Sequence, residues 1–205
     1  MDSPFRGRQL FNHGNGMLPV ELKNQLKDAI KTYSFRENHQ ELFTLASGKK
    51  SPYYFDLKQT LLQSNFLKIA GMFLAEKIAA QFSDGCILAG LTMGADPLIY
   101  AACLSDYGLN HFSPAIVRKE TKDHGTGKRI EMLKSLDQKF PCVMIDDVIT
   151  TGGSTLKAVT AMRDAGYRVE TAFCVLDRLE GGAENLRKEE IQLFPLFTLD
   201  DFKSR

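Results

Sequence analysis

Two neighbouring carboxylates end an apolar run in PCVMIDDVITTGGSTLKAV, residues 141–159. A buried strand gains nothing by closing on Asp146 and Asp147, and a plain turn does not need Thr150, Thr151, Gly152, Gly153 and Ser154 in succession. As chemistry the run makes sense. Glycines let consecutive backbone N–H groups converge on one anion. Hydroxyls add donors, and the helix expected from TLKAVTAMRDAG sets its positive end at the same spot. Such a loop suits one phosphate. The two carboxylates can accept hydrogen bonds from vicinal hydroxyls, as on a ribose, or meet a magnesium ion through water. Asp146, Asp147, Val148, Ile149, Thr150, Thr151, Gly152, Gly153 and Ser154 are therefore the candidate ribose-phosphate cradle. The plain alternative, a capped turn with solvated acids, does not explain the paired acids between strand and helix.

A second constellation is RKETKDHGTGKRIE, residues 118–131, with Arg118, Lys119, Lys122, His124, Lys128 and Arg129 around Gly125 and Gly127. Most charge runs are simply solvated loops. GTGK is not a Walker A loop: Lys122 stands where its first glycine belongs, and Arg129 where a Ser or Thr would meet magnesium. Beside a phosphate cradle, a glycine-bearing cationic loop suits a leaving group with several negative charges, and it would keep water out. The third segment is VLDRLEGG, residues 175–182. Arg178 follows an apolar strand there, and a guanidinium matches a carboxylate with two parallel hydrogen bonds. Taken alone, Asp177-Arg178 reads as a surface ion pair; beside the other two segments it reads as carboxylate recognition. No Ser-His-Asp or Cys-His arrangement is evident.

These segments resemble known signatures. Residues 142–154 are similar at every position to the phosphoribosyl pyrophosphate (PRPP) signature of the type I phosphoribosyltransferases. RKETKDHG resembles the catalytic loop of the orotate phosphoribosyltransferases, and DRLEGG their Asp-Arg-x-x-Gly-Gly segment. The resemblance spans about residues 20–202. It implies that Asp146 and Asp147 hold the ribose hydroxyls, and that residues 150–154 hold the 5′-phosphate. It implies that Arg118, Lys119, Lys122 and His124 are catalytic, contacting pyrophosphate in a neighbouring subunit's site, and hence a homodimer. Either Lys122 or His124 is the general acid. Thr150 and Arg178 would contact orotate. FTLASGKKSPYYFD resembles the family's N-terminal hood and GLTMGADP its pyrophosphate loop. Tyr54 and Phe55 are candidates to stack on the base. Ala46 and Met93 depart from members with lysine at those positions, which makes Lys58 the candidate replacement cation. The expected cofactor is Mg²⁺, held mainly by PRPP, with no direct protein ligand assigned. The expected reaction converts orotate and PRPP to orotidine 5′-monophosphate and pyrophosphate in pyrimidine biosynthesis. A phosphoribosyltransferase for another base, and a regulator that keeps the cradle only as a sensor, are the competing readings.

The elements needed to position these residues are legible. Residues 19–34 space Leu22, Leu26, Ile30 and Tyr33 at helical intervals. Residues 43–60 read as a hairpin or short strands. Residues 64–82 read as a helix with Ser64 as N-cap. CILAGL (86–91), PAIVR (114–118), PCVMIDDV (141–148) and ETAFCVLD (170–177) are near-continuous apolar strands, as in a parallel sheet covered on both faces. Helices over 95–106 and 154–165 separate them, the second closed by Gly166. The tail, IQLFPLFTLDDF, reads as one more strand and a short terminal element. The expected class is α/β: the type I phosphoribosyltransferase fold, a mostly parallel central sheet flanked by helices, with a small hood subdomain. The expected division is a flexible tail over 1–18 and one domain over 19–205. Its hood comes from 19–62 and the C-terminal segment, and its core from about 63–180.

Composition bounds the function. The chain has 205 residues, 43% hydrophobic, with a formal net charge of +1. That balance argues against a nucleic-acid partner. The least charged stretch, residues 85–105, is broken by Asp96-Pro97 and glycines, so no membrane span is expected. Cys86, Cys103, Cys142 and Cys174 lie in apolar segments without Cys-x-x-Cys spacing, and read as reduced thiols in a cytoplasmic protein. The start, MDSPFRGRQLFNHGNG, shows no signal-peptide pattern.

Overall fold

The computed structural model describes residues 18–44, 48, 50–119 and 129–203. Its centre is a six-stranded sheet in the order β10-β9-β8-β5-β6-β7. The strands are β5 (Cys86–Leu91), β6 (Phe112–Val117), β7 (Ile130–Met132), β8 (Cys142–Ile149), β9 (Val169–Asp177) and β10 (Gln192–Thr198). All pairings are parallel except β6 with β7. Every residue of β5 is buried, as are the first five of β8 and the last six of β9. That explains why these strands read as unbroken apolar runs: helices cover both faces.

Helices α3 (Ser64–Ala79) and α4 (Asp96–Cys103) belong to one apolar cluster, with Leu74, Ile78, Leu98 and Ile99 packed with Leu88, Ile145 and Phe173. Helix α5 (Gly153–Asp164) belongs to a second, with Val159 and Met162 packed with Ile87, Ala89 and Met144. The four cysteines are free; Cys86, Cys142 and Cys174 are buried and Cys103 is half-buried.

The N-terminal part lies against the C-terminal end. Helix α1 (Val20–Ala29) continues as a π-helical turn, Ile30–Ser34, into β1 (Phe35–Glu37). β1 pairs antiparallel with β4 (Tyr53–Phe55), and β2 (Phe43–Thr44) with β3 (Lys50–Ser51). Phe35 and Phe55 stand with ring centroids 4.8 Å apart, and Phe202 is 5.4 Å from Phe55. Lys27 pairs with Asp201 at 3.6 Å. Helix α2 (Lys58–Leu61) leads into α3. The tail expected over 1–18 falls outside the described residues except for Leu18, whose backbone N–H donates to Glu76 at 2.6 Å.

Ser64 is the first residue of α3 rather than its cap. Gln63 precedes it in extended conformation without a side-chain cap bond, and its amide donates to Gln59 O at 2.7 Å. The turn after α5 matches expectation: Gly166 has φ +89° and its N–H donates to Arg163 O at 2.9 Å. Four elements were not foreseen: β1, helix α2, which begins inside the stretch expected as a hairpin or short strands, β7 and helix α6 (Gly182–Lys188).

Candidate active site

In an open parallel sheet, ligands sit where successive connections leave to opposite sides. From β5 the chain goes to β6 on one side, and β8 then fills the other. The crevice beyond the carboxyl ends of β5 and β8 therefore receives residues 92–95 and 150–152.

Asp146 is only 7% exposed. The Thr155 hydroxyl donates to its Oδ2 at 2.8 Å, and the Asp147 backbone N–H to its Oδ1 at 3.0 Å. Burial first, and then the neighbouring Asp147 charge, push its carboxyl up to about 7. Asp147 is half-buried and accepts the Val148 N–H at 2.9 Å. The loop after β5 leans on this carboxylate: a β-carbon on Gly94 would stand 2.6 Å from Asp147 Oδ1. Thr92 donates to Asp96 Oδ2 at 2.6 Å, the Thr92–Met93 peptide is cis, and Met93 is 75% exposed.

Helix α5 starts directly after the acids. Gly152 precedes it at φ +80°, a conformation that side chains resist, and no side chain caps the helix. Its first turn also lacks an acid. The backbone donors and positive end of this 12-residue helix are thus left to an external anion. Ile149 is buried, Val148, Thr150 and Thr151 are half-buried, and Gly153 and Ser154 are exposed. Asn185 of α6 donates to Thr151 O at 3.0 Å and pins the loop from behind.

Arg178 lies one strand away. β8 and β9 pair Ile149 with Asp177, and the Arg178 backbone N–H donates to Ile149 O at 2.9 Å. Its side chain is buried, with the residue 5% exposed. Nη2 donates to Tyr53 O at 3.1 Å and pairs with Glu180 Oε1 at 2.9 Å, and Cζ stands 5.9 Å from the Phe55 ring centroid. Burial pulls its basicity down and the Glu180 charge opposes that shift. Phe55 itself is packed in the core, whereas Tyr54 is exposed and meets Phe43 at 5.6 Å. Lys58, at the start of α2, pairs with Asp56 at 3.2 Å. That carboxylate holds the ammonium above its usual range, and the Asp147 charge adds to the effect.

The cationic loop leaves β6 and returns on β7 at the sheet edge. The Arg118 N–H donates to Arg129 O at 2.9 Å, closing its base. Arg118 Nη2 pairs with Glu131 at 2.9 Å, and Lys119 is exposed. Lys122, His124, Gly125, Gly127 and Lys128 lie outside the described residues, as does Ala46.

A scan against protein-family models finds no match. Whole-sequence comparison finds the orotate phosphoribosyltransferase of Leptospira biflexa, 44% identical over 176 residues, covering 84% of this chain and 93% of the relative. The chain belongs to the orotate phosphoribosyltransferases. The enzyme of that name from Aquifex aeolicus is 41% identical over 186 residues, covering 90% of this chain and 99% of the relative. Among solved structures, the orotate phosphoribosyltransferase of Mycobacterium tuberculosis in complex with Fe(III) dicitrate superposes with a TM-score of 0.74. It is 29% identical, covering 89% of this chain and 99% of that one. The type I phosphoribosyltransferase fold is thereby established, and the family makes the chain a pentosyltransferase of pyrimidine biosynthesis.

The structure brings the cradle, the Gly94 loop, Arg178 and Lys58 to one end of the sheet. Four residues around them had not been singled out from sequence. Thr155 holds Asp146, Gly94 abuts Asp147, Glu180 holds Arg178 and Glu131 holds Arg118. Thr155 continues the hydroxyl run, so its position alone was a usable signal; Glu131 lies in edge strand β7 and Glu180 in the turn after β9, where spacing alone does not mark a partner.

Proposed function

We propose that this chain transfers the 5-phosphoribosyl group from PRPP to orotate, giving orotidine 5′-monophosphate and pyrophosphate. The observation that carries this reading is the pairing, one strand apart, of an uncapped helix start beside two acids with a buried arginine. Residues 150–154 hold the 5′-phosphate on the α5 N-terminus. Asp146 and Asp147 accept hydrogen bonds from the ribose hydroxyls. As the bond from the ribose carbon to the pyrophosphate oxygen breaks, the sugar gains cationic character and the departing oxygens gain charge. Arg118, Lys119, Lys122 and His124 meet that charge, and either Lys122 or His124 supplies the proton. Arg178 receives the orotate carboxylate, Thr150 touches the base, Tyr54 flanks it while Phe55 packs in the core beside Arg178, and Lys58 serves where other members use lysines in place of Ala46 and Met93.

Among the described residues no cluster of three metal-binding side chains exists. Both Asp146 oxygens already accept hydrogen bonds. This donor set fits Mg²⁺ carried by the PRPP phosphates and met by the two carboxylates through water, the manner in which magnesium is usually held. The ion would neutralise charge on the pyrophosphate.

The proposed assembly is a homodimer in which each 118–131 loop serves the partner's site; the base of the loop, Arg118 with Arg129, stands at the sheet edge, which favours this reading. Residues 19–62 with the C-terminal segment form the hood of a single domain over 19–205. The enzyme works in the cytoplasm; no helix among the described residues is long and apolar enough to cross a membrane.

The test follows orotate ultraviolet absorbance with purified protein, PRPP and Mg²⁺, with and without chelator. Magnesium-dependent loss with equimolar pyrophosphate release is expected. Turnover of adenine or hypoxanthine but not orotate would overturn the choice of acceptor.

A further inference from the structure

The donors of Arg178 are divided unevenly. Nη2 carries two N–H bonds, and its partners are Tyr53 O at 3.1 Å and Glu180 Oε1 at 2.9 Å. Nε is buried and has no hydrogen-bond partner among the described residues. The N–H bonds of Nε and Nη2 run parallel along one edge of the guanidinium, the edge that a planar carboxylate takes with both oxygens. That edge is open at Nε and claimed at Nη2. A carboxylate that takes that edge with both oxygens therefore competes at Nη2 with Tyr53 O and Glu180. Tyr53 is main chain in β4, whose three residues pair with β1. Glu180 is a side chain, 20% exposed, with water within reach. It is the partner able to yield.

The local backbone shows how Glu180 reaches Arg178. Leu179 has φ +56° and Gly181 φ +92°. Left-handed residues on both sides of Glu180 fold it back toward the arginine two positions earlier, and Asp177 Oδ1 fixes the turn by accepting the Leu179 N–H at 2.9 Å. Leucine is a poor residue for that conformation, so the turn is held under strain.

We propose that Glu180 is a placeholder that tunes acceptor affinity: an internal carboxylate that pairs with Arg178 and is exchanged for the carboxylate of the acceptor. The buried guanidinium then keeps a negative partner throughout the exchange. This inference rests on the assignment of Arg178 to the orotate carboxylate.

The test is steady-state kinetics on wild type, Glu180→Gln, Arg178→Ala and the double variant, with uracil as a competitor lacking the carboxylate. Glutamine keeps the size and polarity of the side chain but not its charge. Glu180→Gln is expected to lower the orotate KM about three- to tenfold, leave the PRPP KM and the uracil inhibition constant unchanged, and have no effect on the orotate KM in the Arg178→Ala background. An unchanged or raised orotate KM for Glu180→Gln, with Arg178→Ala still raising it, would overturn the role of Glu180 alone. An orotate KM untouched by Arg178→Ala would instead remove Arg178 from the acceptor site.

Discussion

At Asp146, burial and ligand binding act in opposite directions. Its carboxyl, pushed up to about 7, holds its proton more tightly in the folded chain than in the unfolded one. Its contribution to stability is therefore fully present below the ordinary aspartate range, near 4, and is lost as pH rises through about 7. Asp146→Asn is expected to raise the melting temperature at pH 8, by roughly 2–4 °C for each kcal/mol relieved, and to leave it nearly unchanged at pH 4. Calorimetric melts at the two pH values check this. Donor binding has the opposite sign. In the proposed binding mode, ribose hydroxyls donate to the ionised carboxylate, so PRPP binding should draw the proton off. Between pH 8 and pH 6 the wild type should lose about tenfold more PRPP affinity than Asp146→Asn, read by titration calorimetry with Mg²⁺ present.

At the scale of elements, two loops converge on the acids. Gly94→Ala places a β-carbon against Asp147, and one of them must move. The PRPP KM is expected to rise about tenfold with little change in melting temperature, since the loop is at the surface and misplacement rather than unfolding is the effect. The cationic loop is proposed to act later. Lys122→Ala is expected to lower kcat by about 10²–10³ while PRPP affinity changes only a few-fold, because the charge it meets grows in the transition state. Equal losses in kcat and in donor affinity would refute that role.

The same scale shows what the sequence made legible. β5, β8 and β9 announce themselves because covering both faces demands apolar residues at every position, and the acids at the end of β8 stand out against that run. β7 is hidden because Ile-Glu-Met at a sheet edge has one neighbour and no required pattern. α6 is hidden because its opening glycine resembles loop, and its seven residues bury only Gly182 and Leu186. The cradle residues are contiguous and could be read together. The partners that hold them could not: Tyr53 and Arg178 are 125 residues apart, and only the folded chain joins them.

For the whole molecule, the decisive question is where each cationic loop works. At orotate concentrations well below the raised KM of Arg178→Ala, that variant and Lys122→Ala are each expected to turn over little alone and to regain activity when co-assembled. A mixed dimer would have one site with both defects and one with neither. Random assortment leaves roughly a quarter of the wild-type sites intact. No recovery on mixing would mean that each loop serves its own subunit.

The bond from Arg178 to Tyr53 O has a consequence for how this enzyme could change over generations. The guanidinium proposed to choose the acceptor also fastens strand β4 to the end of β9. A mutation that alters the preferred base by replacing Arg178 would also strand a main-chain carbonyl and loosen the wall of the site. A new acceptor preference is thus separated from the present one by a trough, in which structure is lost before selectivity is gained. Crossing it calls for a second substitution, near β4, already in place when the first arrives.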